Sequence, residues 1–555
     1  MDRQPPRATS DEIDLYIRTY YSLLRSSGDV RVRAFEEAHL YSRSSLHLGA
    51  EDPTPDLAAF AYSAGRLPAC MPRVRHIVLG QSIPQFNAAG FDIERWDTVR
   101  TRGRRRPLRF DGKSTLAVFV ASASDIDDLV PILTAYQIEW NKLREHLLAA
   151  RIGDATDDKA VAEAIGVDLP GVAKLRGALG KRSSEIISEM LVHDCDMFVR
   201  LLDGSFREYA RSAQRWWRAI AQQVPSGRPV YFVSSNSHSL VNLLGGYART
   251  HSDAILAFLR EKNFEDLAPR YDEAIAAGNE ALATNILYYS LRAYLHDDAA
   301  RMDQVQLADA AAGIRALMSP GKIDVDVQVM DLAKLNVDNL DPRVRVRGIE
   351  RLAQSRAVIV NIDYPLGMAA YHHLTAVGLG VDELRGVYIM GKAATLNGRV
   401  GDVMISKIIH DEHSSNTYLF RNALTAADVQ PFMRHGTVLD NQKALTVRSA
   451  FLQNRNYMDV FYREGYTVME MEAGPYLSAA YEIAEPRRHP KDELVSLVDR
   501  PEFDIGVIHY ASDTPYSRRQ SLLSKSMSYF GMESTYGCAI AVARRIFTSE
   551  LERME

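Results

Sequence analysis

The stretch "YTVMEMEAGPYLSAAYE", Tyr466 to Glu482, decides how the second half of the chain folds. Its first residues are the β-branched, aromatic and apolar types that favour a strand. The run from Ala473 to Ala480 is small and apolar, which is typical of a packed helix. Two carboxylates, Glu470 and Glu472, lie where the strand becomes the helix. Taken alone, an acid at such a junction is more often a helix cap or a salt-bridge partner, so its neighbours must decide its role.

Further segments on both sides of this stretch repeat the pattern of a strand, a loop and a helix. Strands separated by helices indicate a mainly parallel sheet that helices cover on both faces. Because the carboxyl ends of parallel strands lie at one edge, their loops converge there, where ligands of such folds bind. The segments are "AVIVNIDYPLGMAAYHHLTAVGL" (357–379), "GVYIMGKAATLNGRVGDVMIS" (386–406), "TVRSAFLQN" (446–454) and "FDIGVIHYASDTPYSRRQ" (503–520).

The order of these motifs resembles the nucleoside phosphorylase superfamily over residues 357–548. That superfamily includes purine nucleoside and uridine phosphorylases, methylthioadenosine nucleosidases and AMP nucleosidases. A glycine-bearing loop precedes a helix, then come a strand ending in small residues and "GDV", then "VMEMEA", and last "ASD". The "VMEMEA" stretch is similar to the family's ribose-binding Met-Glu motif. The "ASD" stretch is similar to the Ser-Asp pair that contacts the base.

The resemblance implies an α/β fold with a three-layer C-terminal domain around a central mixed, mainly parallel sheet. "RPVYFVSSNSHS", beginning at Arg228, is similar to the family's first strand and phosphate loop. We therefore expect a phosphorylase-like domain over 228–555 with a helical insertion at about 250–318. Residues 1–227 then form a mainly helical N-terminal domain of unknown role, although "STLAVFVAS" (114–122) predicts a strand within it.

The resemblance also implies an activity, which is cleavage of the N-glycosidic bond of a purine-type nucleoside or nucleotide. Asp513 would protonate or hydrogen-bond the departing base as a general acid. Glu472 would accept hydrogen bonds from the ribose hydroxyls, which fixes the orientation of the sugar. The other implied contacts are Met471 and Glu470 at the ribose, Phe451 and Ser512 at the base, and Gly367 in the region of the phosphate or nucleophile.

Two departures from the family pattern leave the nucleophile open. The family's phosphorylases carry an arginine two residues before the strand-end glycine, and Ile389 stands here instead, with Lys392 as a substitute cation. The early phosphate loop is reduced to "SSNSHS", without its glycine and arginine. A phosphorylase lacking both arginines would hold phosphate poorly, which slightly favours water as the nucleophile. Asp363 or His238 would then be the candidates to activate water, and phosphate stays open as a co-substrate.

Composition excludes several other classes. The net charge is −5 with a pI near 6.3, so the molecule as a whole has no signature of binding a nucleic-acid polymer or a membrane. The three cysteines are far apart, which excludes a disulfide framework and a zinc knuckle, and we expect no metal. We predict a cytoplasmic protein, and the resemblance implies a homo-oligomer. The arginine cluster at Arg100, Arg102 and Arg104–Arg106 is most simply a solvated loop, with binding of a phosphate-bearing partner as the alternative.

Two other functions compete with this hypothesis. The first is a non-catalytic, nucleotide-sensing or regulatory module on a degenerate phosphorylase fold. The second is a different enzyme whose site lies in the first half, near "STLAVFVASASD" and the helix face of Gln137, Glu139, Asn141 and Lys142. A solvated helix face is the simpler account of those four residues.

Overall fold

The structure is a computed structural model of the chain. It describes residues 11–26, 28–101, 103, 106–153, 155–202, 205–262, 264–486, 488–499, 501–514 and 529–555. The described residues form two separate β-sheets with α-helices packed against them, joined by short 3-10 turns.

The first half carries the smaller sheet. Its strands are β1 (Val30–Arg31), β2 (His76–Gly80), β3 (Asp97–Val99), β4 (Leu108–Phe110), β5 (Thr115–Phe119) and β6 (Phe198–Leu201). Its helices are α1 (Asp11–Ser26), α2 (Glu36–Tyr41), α3 (Leu57–Ala64), α4 (Ile83–Ala88), α5 (Ala123–Ala149), α6 (Asp158–Ile165), α7 (Leu169–Leu179), α8 (Ser183–Val192) and α9 (Phe206–Ala221).

The second half carries the larger sheet. Its strands are β7 (Val230–Ser234), β8 (Ile314–Leu317), β9 (Val327–Asp331), β10 (Val358–Ile362), β11 (Leu384–Thr395), β12 (Val403–Asp411), β13 (Thr417–Phe420), β14 (Val438–Thr446), β15 (Tyr466–Glu470), β16 (Leu494–Leu497) and β17 (Asp504–Asp513). Its helices are α10 (Ser239–Gly245), α11 (Tyr247–Thr250), α12 (Ser252–Lys262), α13 (Leu267–Ala276), α14 (Glu280–Asp297), α15 (Ala299–Ala311), α16 (Ala369–Gly380), α17 (Ala426–Val429), α18 (Arg455–Arg463), α19 (Ala473–Ala484) and α20 (Tyr529–Arg553).

The described part of the first half is mainly helical, as expected, but it also contains a six-stranded sheet of which the sequence predicted one strand. Its six strands lie in the order β1-β6-β2-β5-β4-β3, with β2 parallel to both β5 and β6. The predicted strand at 114–122 is present as β5. Strands β2 and β6 were missed because they are short and lie between helical patterns that dominate this part of the sequence. Short strands of this kind are stabilised by their neighbours in the sheet more than by their own sequence.

The larger sheet has a parallel core. Strands β10, β7, β11 and β17 are adjacent in that order and mutually parallel. Strands β12, β14 and β15 are parallel to one another, and they meet the core through antiparallel pairing of β15 with β11 and of β12 with β17. The strands predicted at the start of "RPVYFVSSNSHS" and of "YTVMEMEAGPYLSAAYE" are present as β7 and β15. The region expected to be helical up to 318 ends in strand β8.

Apolar cores lie on both faces of this sheet. One contains α10, α14 and α20, and the other contains α9, α16 and α19. Buried strands such as β7 ("VYFVS") and β10 ("VIVNI") present apolar side chains to both, which is why they lack polar alternation. Helix α9 packs against α16 although the expected domain boundary lies after it. Among the described residues, no helix is both long and apolar enough to cross a membrane.

The two halves meet at the start of α5. Ser122 caps this helix through a capping box with Asp125. The hydroxyl of Ser122 donates to the carbonyl oxygen of Leu366 at 3.4 Å, and the N–H of Met368 donates to Oγ of Ser124 at 2.8 Å. The loop after β10, in the second half, therefore rests on the first turn of a helix from the first half.

The expectation of a solvated arginine cluster is confirmed for Arg100, which is exposed, and wrong for Arg106. Arg106 is buried, not solvated, and its guanidinium pairs with Asp125 at 2.8 Å and with Asp128 at 2.5 Å. Arg102, Arg104 and Arg105 lie outside the described residues.

The polar face of α5 is also not solvated. Gln137 and Glu139 are buried, and Glu139 lies 2.8 Å from His47 and 2.7 Å from Lys142. Because these partners satisfy the polar atoms, the residues of this face are explained by a structural role inside the first half.

Candidate functional site

Polar residues converge at the carboxyl edge of the parallel core. Asp363 directly follows β10, "SNSHS" follows the end of β7, and Asp513 is the last residue of β17. Because β10, β7, β11 and β17 are parallel neighbours, these positions share one edge of the sheet. In an open α/β sheet this edge is where ligands bind.

Strand pairing brings the "VMEMEA" and "ASD" motifs together. Ala394 of β11 pairs with Asp513 on one side and with Met469 on the other. Adjacent strands are about 4.8 Å apart, so the two motifs are separated by about 10 Å, which is farther than a single side-chain contact. The β11 residues at this level, Ala393 and Ala394, are small. The 43 positions between Glu470 and Asp513 in the sequence thus become two strand spacings in the fold.

The two glutamates of the motif differ in role. The buried Glu470 carboxylate accepts the N–H of Glu472 at 2.7 Å, the N–H of Ala473 at 2.6 Å, and the hydroxyl of Thr446. It thereby satisfies backbone donors at the start of α19, which have no partner within the helix. Glu470 therefore holds the turn that carries Glu472.

Glu472 occupies the N-cap position of α19, yet its side chain makes no capping hydrogen bond. Glu472 therefore does not act as a helix cap, because Glu470 accepts the N–H groups at the start of α19. The Glu472 side chain is partly exposed and lies near two tyrosines. Burial raises the pKa of the Tyr364 and Tyr476 hydroxyls well above the usual range, and the Glu472 carboxylate adds to both shifts. Met471 is also partly exposed at this turn.

Tyr364 links the loop after β10 to the end of β17. Its hydroxyl lies 3.4 Å from that of Tyr510, and its ring packs against Gly391, four residues before the end of β11. Asp363, just before it, is buried, and its Oδ1 accepts the N–H of Tyr364 at 2.9 Å. The hydroxyl groups of Tyr364 and Tyr510 and the carboxyl group of Asp363 therefore lie side by side near Glu472.

A buried network fixes the loop after β7. Ser235 donates to Oδ1 of Asn361 at 2.7 Å, Asn361 donates to Gln328 at 2.6 Å, and Gln328 donates to the carbonyl oxygen of Ser237 at 2.9 Å. His238 follows in this loop, with its ring against that of Tyr536. The loop is therefore positioned by neutral groups, and no cation takes part in these contacts.

Other predicted residues lie around this edge. Ser512 is adjacent to Asp513 and its hydroxyl lies 2.9 Å from Oδ2 of that residue. Lys392 is exposed and pairs in register with Tyr510. Gly367 is buried in the loop after β10 with φ of +53°, against Ser124.

Phe451 is the predicted site residue that the structure places elsewhere. It is buried in the core of the first half, where its ring contacts those of His39, His47 and Tyr62. Stacking on a base stays a prediction, and we leave Phe451 out of the site proposed below. Asn454, three residues later, forms a β-bridge with Ser44 and so holds this segment against the first half.

Sequence reasoning missed several polar residues at this edge, namely Tyr364, Asn236, Thr446, Tyr510 and Arg448. Four of them lie at the carboxyl end of a strand or two residues beyond it, and Tyr510 lies three residues before the end of β17. Their closeness to strand ends was the sequence signal that could have identified them. Among the described residues, no group of three or more His, Cys, Asp or Glu side chains could hold a metal ion.

The contribution of Glu470 and Glu412 to stability should fall as the pH rises from about 4.5 to 8, whereas buried histidines with lowered pKa, such as His413, have the opposite effect below pH 6.5. Burial raises the pKa of Glu470 and of Glu412 to about 8 each, from 4.5. The folded state therefore keeps protons that the unfolded chain releases near pH 4.5, so their stabilising effect is complete below that pH and is lost by pH 8. Unfolding by denaturant across this range measures the slope. Glu470→Gln and Glu412→Gln should each flatten it, and an unchanged slope in both variants would contradict the shifts.

The fold and the site together define an α/β protein with polar residues gathered at the carboxyl edge of a parallel sheet. The chain belongs to a protein family described as "Family of unknown function (DUF6909)", whose model matches residues 32–548. No curated protein matches the sequence.

Solved structures similar to the chain include nucleosidases and a phosphorylase. A 5′-methylthioadenosine/S-adenosylhomocysteine nucleosidase from Neisseria meningitidis, in complex with methylthio-immucillin-A, is 13% identical, with a TM-score of 0.29 over 44% of this chain and 94% of that one. The nucleosidase from S. pneumoniae is 13% identical, with a TM-score of 0.27 over 44% and 95%. A methylthioadenosine phosphorylase from an antarctic soil metagenomic library is 7% identical, with a TM-score of 0.28 over 41% and 76%. At these TM-scores the similarity carries no argument, so the proposal below depends on the residues.

Proposed function

We propose that the chain cleaves the N-glycosidic bond of a purine-type nucleoside or nucleotide, by hydrolysis or phosphorolysis. The observation that carries the proposal is the pairing of Ala394 with both Asp513 and Met469. We take Asp513 as the acid for the leaving group and Glu472, close to Met469, as the carboxylate for the sugar, because these motifs lie about two strand spacings apart. The motif order that resembles nucleoside phosphorylases supports the same assignment.

In this proposal the two motifs perform different steps. Asp513 donates a proton or hydrogen bond to the base as negative charge grows on it, and Ser512 orients that carboxyl group. Glu472 accepts hydrogen bonds from the ribose hydroxyls, while Glu470 fixes the turn that carries it. Met471 packs against the sugar. Asp363, His238, Lys392 and Gly367 stay candidates for the region of the nucleophile.

The test is release of free base, measured by chromatography, from purine and pyrimidine nucleosides and their 5′-monophosphates, with and without inorganic phosphate. Release without phosphate would identify a nucleosidase, and release that requires phosphate would identify a phosphorylase. Tight binding of one nucleotide with no release from any substrate would reject the enzyme and leave the nucleotide-sensing module.

Glu472→Ala should lower kcat/KM for a ribonucleoside by about 10- to 100-fold, because a charge-assisted hydrogen bond contributes about 1.5–3 kcal/mol. The matching 2′-deoxyribonucleoside, which lacks one of the two hydroxyls, should lose less. The ratio of kcat/KM for the two substrates measures this contact. Glu464→Ala, an exposed glutamate on the turn before β15, is the control and should leave the ratio unchanged. Equal losses for both substrates would place Glu472 outside the sugar contact.

A further inference from the structure

A guanidinium with unused hydrogen-bond donors lies beside the proposed ribose motif. Arg448 follows the last residue of β14 by two positions, and the N–H of Val447, just before it, donates to the carbonyl oxygen of Glu470 at 2.8 Å. Neighbouring strands are about 4.8 Å apart, so the Arg448 backbone leaves the sheet next to the turn that carries Glu472.

The contacts of Arg448 leave its side chain unsatisfied. Its backbone N–H donates to Oε2 of Glu412 at 2.9 Å. The nearest acid to the guanidinium is Asp127, whose Oδ2 lies 3.8 Å from Nε, which is too far for a hydrogen bond. Nε is buried and makes no hydrogen bond within the described chain. A guanidinium has five N–H donors, and buried donors normally have acceptors, so this side chain is suited to bind an acceptor-rich group.

Two more buried donors accompany the guanidinium. Nε2 of His413 and Oγ of Ser449 also have no hydrogen-bond partner among the described residues. Burial, with the charge of Arg448 as the second cause, lowers the pKa of His413 to about 3, so its ring is neutral. A neutral imidazole can donate from Nε2. His413 also lies near Gly367, where a Cβ would be 3.4 Å from Nε2.

The surrounding acids include Asp127, which forms a long ion pair with Arg448, but they leave hydrogen-bond donors of this group unused. Oδ1 of Asp127 is taken by the Tyr20 hydroxyl at 2.6 Å. Burial raises the pKa of Glu412 to about 8, so that carboxyl is largely protonated at neutral pH. Asp411 accepts the N–H groups of His413 and Ser414 and the Ser414 hydroxyl. The donors of Arg448 and His413 therefore remain available to an anion.

We propose that Arg448, with His413, binds the phosphate group of a ligand at this site. A planar guanidinium binds two phosphate oxygens at once, which suits an oxyanion better than any other residue in the site does. The inference rests on the proposed function, and it narrows the ligand to one with a phosphate group. That group belongs either to the 5′-position of a nucleotide substrate or to inorganic phosphate as the second substrate.

Calorimetric titration of the full chain at pH 7 tests this site without depending on catalysis. The ligands are a purine nucleoside, its 5′-monophosphate and inorganic phosphate, and the variants are Arg448→Gln and Arg463→Gln. Arg463 is an exposed arginine on α18, so its variant should behave like wild type. If the site takes a 5′-phosphate, wild type binds the nucleotide at least about 10-fold more tightly than the nucleoside, and Arg448→Gln removes that difference.

If the site takes inorganic phosphate instead, wild type binds phosphate itself, and Arg448→Gln weakens that binding by at least about 10-fold. Either result supports the proposal and identifies the source of the phosphate. Equal binding of both phosphate-bearing ligands by wild type and Arg448→Gln would overturn it, as would a wild type that binds neither. Should the glutamine variant not fold, Arg448→Lys, which keeps the charge and loses the bidentate geometry, gives the same comparison.

The two proposals can fail separately. Phosphate binding that depends on Arg448, in a protein that releases no base, would reject the enzyme and keep the phosphate site. Base release that is unaffected in Arg448→Gln with every substrate would keep the enzyme and reject the phosphate site.

Discussion

Asp513→Asn is expected to lower kcat for base release by about 100- to 10,000-fold, the range that loss of a general acid or base usually costs. Asparagine keeps the shape of the side chain and its contact with Ser512, but it has no acidic proton to deliver to the departing base. KM should change little, because the substitution alters the transition state more than the bound substrate. Base release by chromatography, with purine nucleosides and nucleotides, measures both constants.

A substrate whose leaving group needs no proton makes this prediction specific. With 4-nitrophenyl riboside, whose phenolate leaves unassisted, Asp513→Asn should retain most of the wild-type rate. Asp499→Asn, an exposed aspartate outside the site, serves as the matched control. Equal loss with both substrates would mean that Asp513 supports the local structure and does not act on the base.

The larger sheet could be predicted from the sequence because its central strands are buried on both faces. "VYFVS" and "VIVNI" have no polar alternation, so each is identified without its neighbours. The smaller sheet could not be predicted in the same way. "FVRL" of β6 and "VR" of β1 are strands only because β2 and β1 pair with β6, and that pairing joins residues more than 100 positions apart.

The candidate site, like the two sheets, could be predicted where it depends on neighbouring residues and not where it depends on residues far apart in the sequence. The alternation of Glu470 and Glu472 around Met471 indicated a special junction, yet only the structure separates the capping acid from the other. Arg448 was passed over because an arginine after a strand is ordinary in a sequence. Its significance comes from Asp127 and His413, which lie on other elements. Phe451 was predicted from the family resemblance as an aromatic residue near a strand end, whereas its ring packs into the first half.

The largest effect on stability that we predict is for a substitution at Gly367, where the two halves are in contact. A Cβ at this position would lie 2.3 Å from Oγ and 2.6 Å from Cβ of Ser124, and the backbone there has φ of +53°. A left-handed conformation costs a non-glycine residue about 1–2 kcal/mol, and overpacking costs about 1–3 kcal/mol more. Gly367→Ala should therefore lower the free energy of unfolding by about 2–5 kcal/mol, measured by denaturant titration.

Two further variants separate the backbone effect from the packing effect. Gly112 also has positive φ, +78°, but nothing lies within 4 Å of the position of its Cβ, so Gly112→Ala should show the backbone cost alone. In a Ser124→Gly background the steric conflict is gone, so Gly367→Ala should then cost about as much as Gly112→Ala. That non-additivity is the signature of a direct contact between the halves. Because Gly367 lies in the loop that carries Tyr364 to the site, restored stability should be accompanied by restored base release. Additive losses in the double variant would mean that the start of α5 does not rest on this loop.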